Sequence, residues 1–187
     1  MRIISGQYKG KRILEPLDKN TRPLKDLTKE SIFNIIEHSN KLSFNLSNSN
    51  ILDLFSGVGS FGLEALSRNA NFVTFVENYL SVVQILKKNI QNLNLVQKTK
   101  VIEKDILSNL NLAELNQKYD LVFIDPPFKE KKIKHLILNI YKSEILSSSG
   151  IIIIHRNSKW NDVFPKELNI LEKKTYGVSQ IFFCNFV

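Results

Sequence analysis

The sequence predicts an α/β protein with a doubly wound, mostly parallel sheet and a small N-terminal extension. Strand-like and helix-like patterns alternate over residues 50–160, which is the order produced by parallel strands joined through right-handed helical crossovers. The run Ile151–Ile154 is wholly aliphatic, as expected of a strand that is covered on both faces. We therefore expect a hairpin and helix extension over residues 1–40 and one globular domain over residues 50–187.

The N-terminal extension is predicted to be a β-hairpin followed by a helix. Two short β-like runs flank the segment from Gly6 to Gly10, where glycines indicate a tight turn. Asp26 is expected to cap a helix in which apolar residues such as Ile32 and Ile36 share one side. The Asn- and Ser-rich stretch over residues 39–50 then predicts an exposed loop before the main domain.

The main domain is predicted to contain five strands, three helices and a final antiparallel pair. The strands are expected at 51–55, 72–76, 101–103, 119–124 and 151–154, the helices at 61–68, 79–93 and 133–141, and the pair at 168–173 and 180–186. Ligands in such sheets bind beyond the carboxyl ends of the strands. Polar residues at or just after these strand ends are therefore the candidates for a functional site.

Composition excludes several classes of protein but does not show whether the protein binds nucleic acid. The 187 residues carry 26 basic and 18 acidic side chains, for a formal net charge of +8, and a basic surface is typical of nucleic-acid binding. Nearly all the basic residues are Lys, so compositional drift explains the charge equally well. The single Cys184 excludes an internal disulfide and a Cys-based zinc site, and no segment resembles a membrane span or a signal peptide. We expect a cytoplasmic monomer.

A glycine-rich turn follows the first strand of the main domain. Residues 57–62 match the G-x-G-x-x-G pattern, in which Gly57 and Gly59 allow a tight turn and the close approach of a ligand. Glu77 ends the next strand about twenty residues on, where a carboxylate accepts hydrogen bonds from both ribose hydroxyls. A bare turn without a ligand remains the alternative for the glycines alone, but Glu77 favours a nucleoside-bearing cofactor.

The residues around this turn favour S-adenosylmethionine (SAM) over a dinucleotide. Asp53 precedes the turn, and its carboxylate would repel a pyrophosphate but attract an ammonium or sulfonium group. Asp53 could also brace the turn by accepting its N–H groups. Asp105 follows the third strand and is expected to accept from the adenine amino group, with Ile106 packed on the ring; a helix N-cap is the alternative for Asp105.

The turn Asp125–Phe128, which reads Asp-Pro-Pro-Phe, is the most specific feature of the chain. Two prolines fix φ and remove two N–H donors, so the turn presents the Asp125 carboxylate and the Pro126 carbonyl as acceptors. These acceptors suit the two N–H groups of an exocyclic amine on a planar base, and Phe128 can stack on the ring. Such a grip directs the nitrogen lone pair at a methyl group for in-line transfer. The alternative is a plain end to a buried strand.

No metal is expected in this reaction. The three histidines, His38, His135 and His155, lack the spacing of zinc ligands and are expected at the surface or in loops.

Several segments resemble the bacterial RsmD family of class I SAM-dependent methyltransferases. The similar segments are Arg2–Gly10, Arg22–Pro23, Lys29–Asn34, Leu52–Ala70 and Asp125–Phe128. The resemblance implies methylation of the exocyclic N2 of a guanine in 16S ribosomal RNA, on an assembling small subunit. It also implies that SAM contacts Asp53, Gly57, Gly59, Glu77 and Asp105, and that the guanine contacts Asp125, Pro126, Pro127 and Phe128.

Two basic clusters are expected to contact RNA. The hairpin carries Arg2, Lys9, Lys11 and Arg12 around Tyr8, and the resemblance adds the loop at Arg22. Lys131 and Lys132 follow the Asp-Pro-Pro-Phe turn, near a helix start where Lys opposes the dipole. The chain departs from the family at three places. Leu24 and Lys29 stand where the family usually has Thr and Arg, and the strand end His155-Arg156 stands where it more often has acidic residues. His155 is interpreted either as a local change of the rim that faces the base or as a residue without a role.

Other functions compete with this interpretation. The glycine pattern also fits a nicotinamide-dependent oxidoreductase, although Asp53 and the Asp-Pro-Pro-Phe turn argue against it. A non-catalytic RNA-binding module with this fold would not need Glu77 or Asp125. An adenine-N6 methyltransferase would use the same turn, and only the N-terminal resemblance favours guanine.

Overall fold

A seven-stranded sheet forms the centre of the protein in the computed structural model, which describes residues 1–16, 24–108 and 110–187. Its strands are β1 Asn50–Leu54, β2 Phe72–Val76, β3 Thr99–Ile102, β4 Tyr119–Ile124, β5 Leu146–Asn157, β6 Leu168–Tyr176 and β7 Ser179–Phe186. They lie in the order β3-β2-β1-β4-β5-β7-β6; the first five are parallel, and β7 runs antiparallel to both of its neighbours. The predicted doubly wound, mostly parallel sheet is confirmed.

Four helices flank this sheet within the described residues: α1 Asp26–His38, α2 Ser60–Ser67, α3 Leu80–Asn92 and α4 Ile133–Lys142. Successive strand residues point to opposite faces. Ile51 and Ile151 accordingly belong to the core under α1, α2 and α3, while Leu52 and Ile152 belong to the core under α4. Because helices cover both faces, the central strands have no polar side and read as continuous apolar runs.

The N-terminal extension forms a looser hairpin than expected. Only one isolated antiparallel bridge, between Arg2 and Arg12, occurs in the described part of this segment, supported by a hydrogen bond from Ile3 N to the Lys11 carbonyl. Ile3 and Ile13 are buried in the same core as Ile51. The extension therefore packs directly on the main domain, and the boundary between them stays a prediction.

A buried charge cluster attaches the extension to α2. Glu64, fully buried, accepts hydrogen bonds from the backbone N–H groups of Ile4 (2.7 Å) and Ser5 (3.0 Å). The Lys29 ammonium lies 3.6 Å from the Glu64 carboxylate and donates to the Arg2 carbonyl and to Ser60 Oγ. Burial lowers the pKa of Lys29 more than its acidic neighbours raise it. Lys29, a departure from the family pattern, thus holds the N-terminal loop in place.

Three details differ from the predictions. The residue before α1 is Lys25, so Asp26 is the first helical residue and not its cap. The loop over residues 39–50 is only partly exposed, because Leu42 and Leu46 insert into the core. β5 begins five residues before the predicted run, at Leu146, because polar residues at a strand edge carry no apolar pattern. No helix in the described ranges combines the length and apolarity of a membrane span.

Candidate active site

A cavity of about 770 Å³ opens at the carboxyl edge of the parallel strands. β1, β2 and β4 all end there, and the segments that follow them form its walls. The lining includes nearly all of the predicted cofactor and catalytic residues: Asp53, Gly57, Glu77, Asp105, Ile106, Asp125, Pro126, Pro127 and Phe128. The structure therefore brings both predicted half-sites into one cavity, while their ligand contacts stay predictions.

The glycine turn presents one glycine to the cavity and the other to the core. Both have positive φ, +54° at Gly57 and +85° at Gly59, which favours glycine. A Cβ on Gly57 would meet nothing within 4 Å, whereas a Cβ on Gly59 would lie 2.5 Å from Leu86 Cδ1. Gly59 thus allows the turn to pack on α3 and does not line the cavity. Its contact with SAM stays a prediction that the cavity lining does not support.

Glu77 closes the same turn from the end of β2. Its Oε2 accepts from Gly57 N at 2.9 Å, and its Oε1 accepts from Asn78 N at 2.9 Å and Tyr79 N at 3.0 Å. These bonds hold the carboxylate at the cavity wall, only 9% exposed. Each carboxylate oxygen has two lone pairs, so Oε2, which accepts only from Gly57 N in these bonds, can also accept from a ribose hydroxyl.

Asp53 braces the turn and also carries an oxygen that has no hydrogen-bond partner among the described residues. It is 1% exposed, and its Oδ2 accepts from Gly62 N, in the first turn of α2, at 3.0 Å. Burial raises the pKa of Asp53 well above its usual range, and the charges of Asp125 and Glu77 add to this effect. A cation beside this carboxylate would offset both causes, so the site suits a positively charged ligand.

Three buried polar atoms in the cavity lining have no hydrogen-bond partner among the described residues. They are Asp53 Oδ1, Ser56 Oγ and His155 Nε2. Buried polar atoms are almost always hydrogen-bonded in folded proteins. Their clustering at one cavity indicates that its occupant supplies polar partners at several points, as the amino-acid end of SAM and an amino-bearing base together would.

We predict opposite effects of Asp53→Asn on stability and on cofactor affinity. A raised pKa in the folded state adds stability below the usual Asp pKa of about 4, and this stability is lost as pH rises through the raised value. Asparagine does not titrate, so the free energy of unfolding of Asp53→Asn should exceed that of wild type by an amount that grows with pH.

The affinity of Asp53→Asn for SAM should fall about tenfold or more, because a hydrogen bond to a charged group contributes about 1.5–3 kcal/mol. Urea denaturation across pH, and calorimetry, measure both; parallel pH curves would contradict the first effect.

Asp105 accepts hydrogen bonds from residues that follow it closely in the chain. Its Oδ1 accepts from Leu107 N at 2.9 Å and its Oδ2 accepts from Ser108 Oγ at 2.7 Å, which lowers its pKa. Asp105 therefore closes a local turn, and no helix begins at the residues described directly after it, so it is not the helix N-cap that was the alternative. Ile106 beside it is buried and lines the cavity, and the adenine contacts of both stay predictions.

His155 contacts Asp125, the candidate catalytic carboxylate. Its Nδ1 lies 2.8 Å from Asp125 Oδ1, and its ring meets the Phe128 ring edge-on at 5.8 Å between centroids. It is 5% exposed, so the prediction of a surface histidine was wrong. β5 extends past Ile154 and brings its end beside the end of β4, which a single sequence does not reveal. No group of three or more His, Cys, Asp or Glu able to hold a metal occurs within the described ranges.

Arg156 supports the Asp-Pro-Pro-Phe turn from behind. It is 1% exposed and donates to the carbonyls of Glu130 (2.8 Å), Pro127 and Phe128 (both 3.4 Å). Its Nε and Nη2 also bind the two carboxylate oxygens of Asp162 at 2.8 and 2.9 Å. These hydrogen bonds from the Arg156 guanidinium hold the backbone of the turn in place. No local sequence pattern predicts this role of Arg156.

The predicted RNA-binding residues lie at the surface wherever the structure describes them. Arg2, Lys9, Lys11, Arg12, Lys131 and Lys132 are all exposed, and Arg22 lies outside the described residues. Lys132 is close enough to Asp105 to contribute to its lowered pKa. Met1 and Lys25 line the cavity, so the N-terminal segment and the start of α1 both approach its rim.

Known proteins share this sequence and fold. The model of the conserved hypothetical protein 95 family matches residues 1–185. Ribosomal RNA small subunit methyltransferase D of Buchnera aphidicola subsp. Acyrthosiphon pisum is 33% identical over 92% of this chain and 86% of its own length. The solved structure of a candidate methylase from Haemophilus influenzae is 31% identical, with a TM-score of 0.77 over 98% of this chain and 96% of that one.

More distant structures share the fold alone. A candidate methyltransferase solved in complex with SAH is 20% identical, with a TM-score of 0.66 over 84% of this chain and 49% of that one. Family match, sequence identity and fold agree over almost the whole chain. The resemblance noted in the sequence is therefore confirmed: this chain belongs to the conserved hypothetical protein 95 family, that of the RsmD methyltransferases.

Proposed function

We propose that the protein transfers a methyl group from SAM to the exocyclic N2 of a guanine in 16S ribosomal RNA of the small subunit. The observation that carries this proposal is the shared cavity: the Asp125–Phe128 turn and the Asp53, Gly57 and Glu77 wall face the same space. The name of the Buchnera relative supports a ribosomal RNA substrate. A ribosomal substrate in turn implies action in the cytoplasm, where we propose that the enzyme acts as a monomer.

The wall from β1 and β2 suits SAM. Asp53 Oδ1, which lacks a partner in the part of the chain that the structure describes, can accept from the amino-acid ammonium, and Gly57 leaves room for the ligand beside the backbone. Oε2 of Glu77 keeps a lone pair for a ribose hydroxyl, and Ile106 offers an apolar surface for the adenine. Asp53 does not suit a dinucleotide, because its carboxylate would face a pyrophosphate.

The wall from β4 suits an amino-bearing base. Asp125 and the Pro126 carbonyl can accept the two N–H groups, while Phe128, held through its carbonyl by Arg156, lies beside the ring position. SAM supplies an electrophilic methyl group on sulfur. With both N–H groups held, the amine lone pair points at that carbon, the N–C bond forms as the C–S bond breaks, and the amine proton passes to Asp125 or to solvent. Orientation of this kind lowers barriers by about 7–11 kcal/mol in favourable cases.

Methyl transfer to ribosomal particles tests this proposal. Small subunits from a bacterial strain lacking its own enzyme of this family should accept one labelled methyl group from SAM, and digestion to nucleosides should yield N2-methylguanosine. Small subunits from the parent strain, which keeps its enzyme and so already carries the methyl group, are the matched control and should accept none. N6-methyladenosine as the product would support the adenine alternative and contradict the guanine assignment.

We predict that Lys131→Glu together with Lys132→Glu weakens particle binding and leaves SAM affinity unchanged. Both side chains are exposed beside the Asp-Pro-Pro-Phe turn, where phosphates of an engaged RNA would pass. Losing two phosphate contacts should reduce the salt slope of binding by about two and affinity by about 10–100-fold. Lys98→Glu with Lys100→Glu, at the start of β3 on the opposite sheet edge, is the matched control. Equal loss of RNA and SAM binding would contradict the prediction.

A further inference from the structure

We propose that His155 selects the target base: its Nε2 accepts a hydrogen bond from N1–H of guanine, which adenine lacks. This inference rests on the proposed function and adds a specificity-determining residue to it. It begins from the contact between His155 and Asp125, a contact that neither the motif nor the fold requires.

The environment of the ring defines which nitrogen carries the proton. Nδ1 lies 2.8 Å from Asp125 Oδ1, and a carboxylate oxygen can only accept. The proton of the neutral ring therefore sits on Nδ1, and Nε2 is left as a bare acceptor. The same bond occupies one carboxylate oxygen of Asp125, so the other oxygen is left for the amine of the base.

The second ring nitrogen of His155, Nε2, is a buried hydrogen-bond acceptor. It is buried, has no hydrogen-bond partner among the described residues, and belongs to a side chain that lines the cavity beside Asp125 and Phe128. A lone pair in such a place carries a cost unless a ligand donates to it. The occupant of this part of the cavity should therefore present a donor next to the amine that Asp125 receives.

The two amino-purines differ at that position. In guanine, the carbon that bears N2 lies between N3 and N1, and N1 carries a hydrogen and donates. In adenine, the ring atom beside the exocyclic N6 is N1 without a hydrogen, which accepts. Asp125 and the Pro126 carbonyl grip either amine equally, because both amines have two N–H groups. Nε2 pairs with guanine N1–H but opposes adenine N1 lone pair to lone pair, so His155 supplies the discrimination that the turn cannot.

Substituted ribosomal RNA tests the inference. After the methylated nucleotide has been mapped, small subunits are reconstituted from ligated RNA with guanine, 2-aminopurine or 6-thioguanine at that position. 2-Aminopurine keeps the amine and lacks N1–H, while 6-thioguanine keeps both and changes only position 6. Wild type should methylate guanine roughly 100-fold better than 2-aminopurine in kcat/KM, and 6-thioguanine within a few-fold of guanine.

Variants of His155 should change this ratio specifically. His155→Phe should bring guanine and 2-aminopurine to within roughly fivefold of each other, whereas His155→Gln, which keeps an acceptor oxygen, should retain part of the preference. His155→Leu replaces the Phe variant if that variant does not fold, and SAM affinity by calorimetry checks the fold of each. His38→Phe, at the exposed end of α1, is the matched control and should keep the wild-type ratio.

The outcomes separate the inference from the proposed function. A guanine to 2-aminopurine ratio that stays at the wild-type value in His155→Phe, or a wild-type enzyme that does not distinguish the two bases, overturns the role of His155. A wild-type enzyme that forms no N2-methylguanosine overturns the proposed function instead.

Discussion

Asp125→Ala is expected to reduce kcat for methyl transfer by about 10²–10⁴-fold and to leave the Kd for SAM within a few-fold of wild type. Asp125 lies at the carboxyl end of β4 and lines the cavity, where its carboxylate can take one N–H of the target amine. Without it the amine keeps its lone pair delocalised in the base. SAM affinity should be spared because Asp53 and Glu77, the groups proposed to contact SAM, are held by the glycine turn and not by Asp125.

Two further measurements make this expectation specific. Asp125→Asn keeps an oxygen acceptor at the same place, so it should lose less turnover than the alanine variant. Single-turnover rates with preformed particle complexes separate the chemical step from RNA binding. If Asp125→Ala lowered SAM affinity as much as kcat, the carboxylate would belong to the cofactor wall, and the assignment of the turn to the base would be wrong.

The residues that lie at strand ends could be predicted from the sequence because their surroundings are local. The Asp-Pro-Pro-Phe turn follows an apolar run, and the glycine turn lies between a strand and a helix, so topology alone brings them to one sheet edge. Glu77 was placed at this edge by the same argument. Its bond to Gly57 N was not foreseen, because the residues it joins are twenty positions apart.

Groups that act across elements were missed. His155 and Arg156 stood out in the sequence only as a departure from the family pattern, yet the register of β5 against β4 places His155 beside Asp125 and Arg156 beside the Pro127 carbonyl. Lys29 likewise seemed a loss of an expected arginine, and its buried position against Glu64 depends on how α1 packs on α2. Buried charges satisfied by distant backbone carbonyls leave no periodic pattern, so only the folded structure shows them.

Arg156→Met is expected to lower the free energy of unfolding by about 3 kcal/mol and to reduce kcat more than SAM affinity. Removing one member of a buried ion pair typically costs about 3–5 kcal/mol, and the lower value applies because the Asp162 side chain is 13% exposed. The carbonyls of Pro127, Phe128 and Glu130 lose their common donor at the same time. Urea denaturation at constant pH measures the stability change, and transfer to ribosomal particles measures kcat.

Arg156→Lys distinguishes the geometry of the donors from their charge. Lysine keeps the positive charge beside Asp162 but cannot reproduce the planar fork that reaches a carboxylate and three carbonyls together. We therefore expect it to recover part of the stability and little of kcat, since the position of Phe128 depends on the fork. If the lysine variant recovered both fully, charge alone would explain Arg156. A methionine variant whose free energy of unfolding stays within about 1 kcal/mol of wild type, which is less than the expected loss, would refute the proposed support of the turn by Arg156. Asp125 would then have to be oriented by β4 and His155 alone.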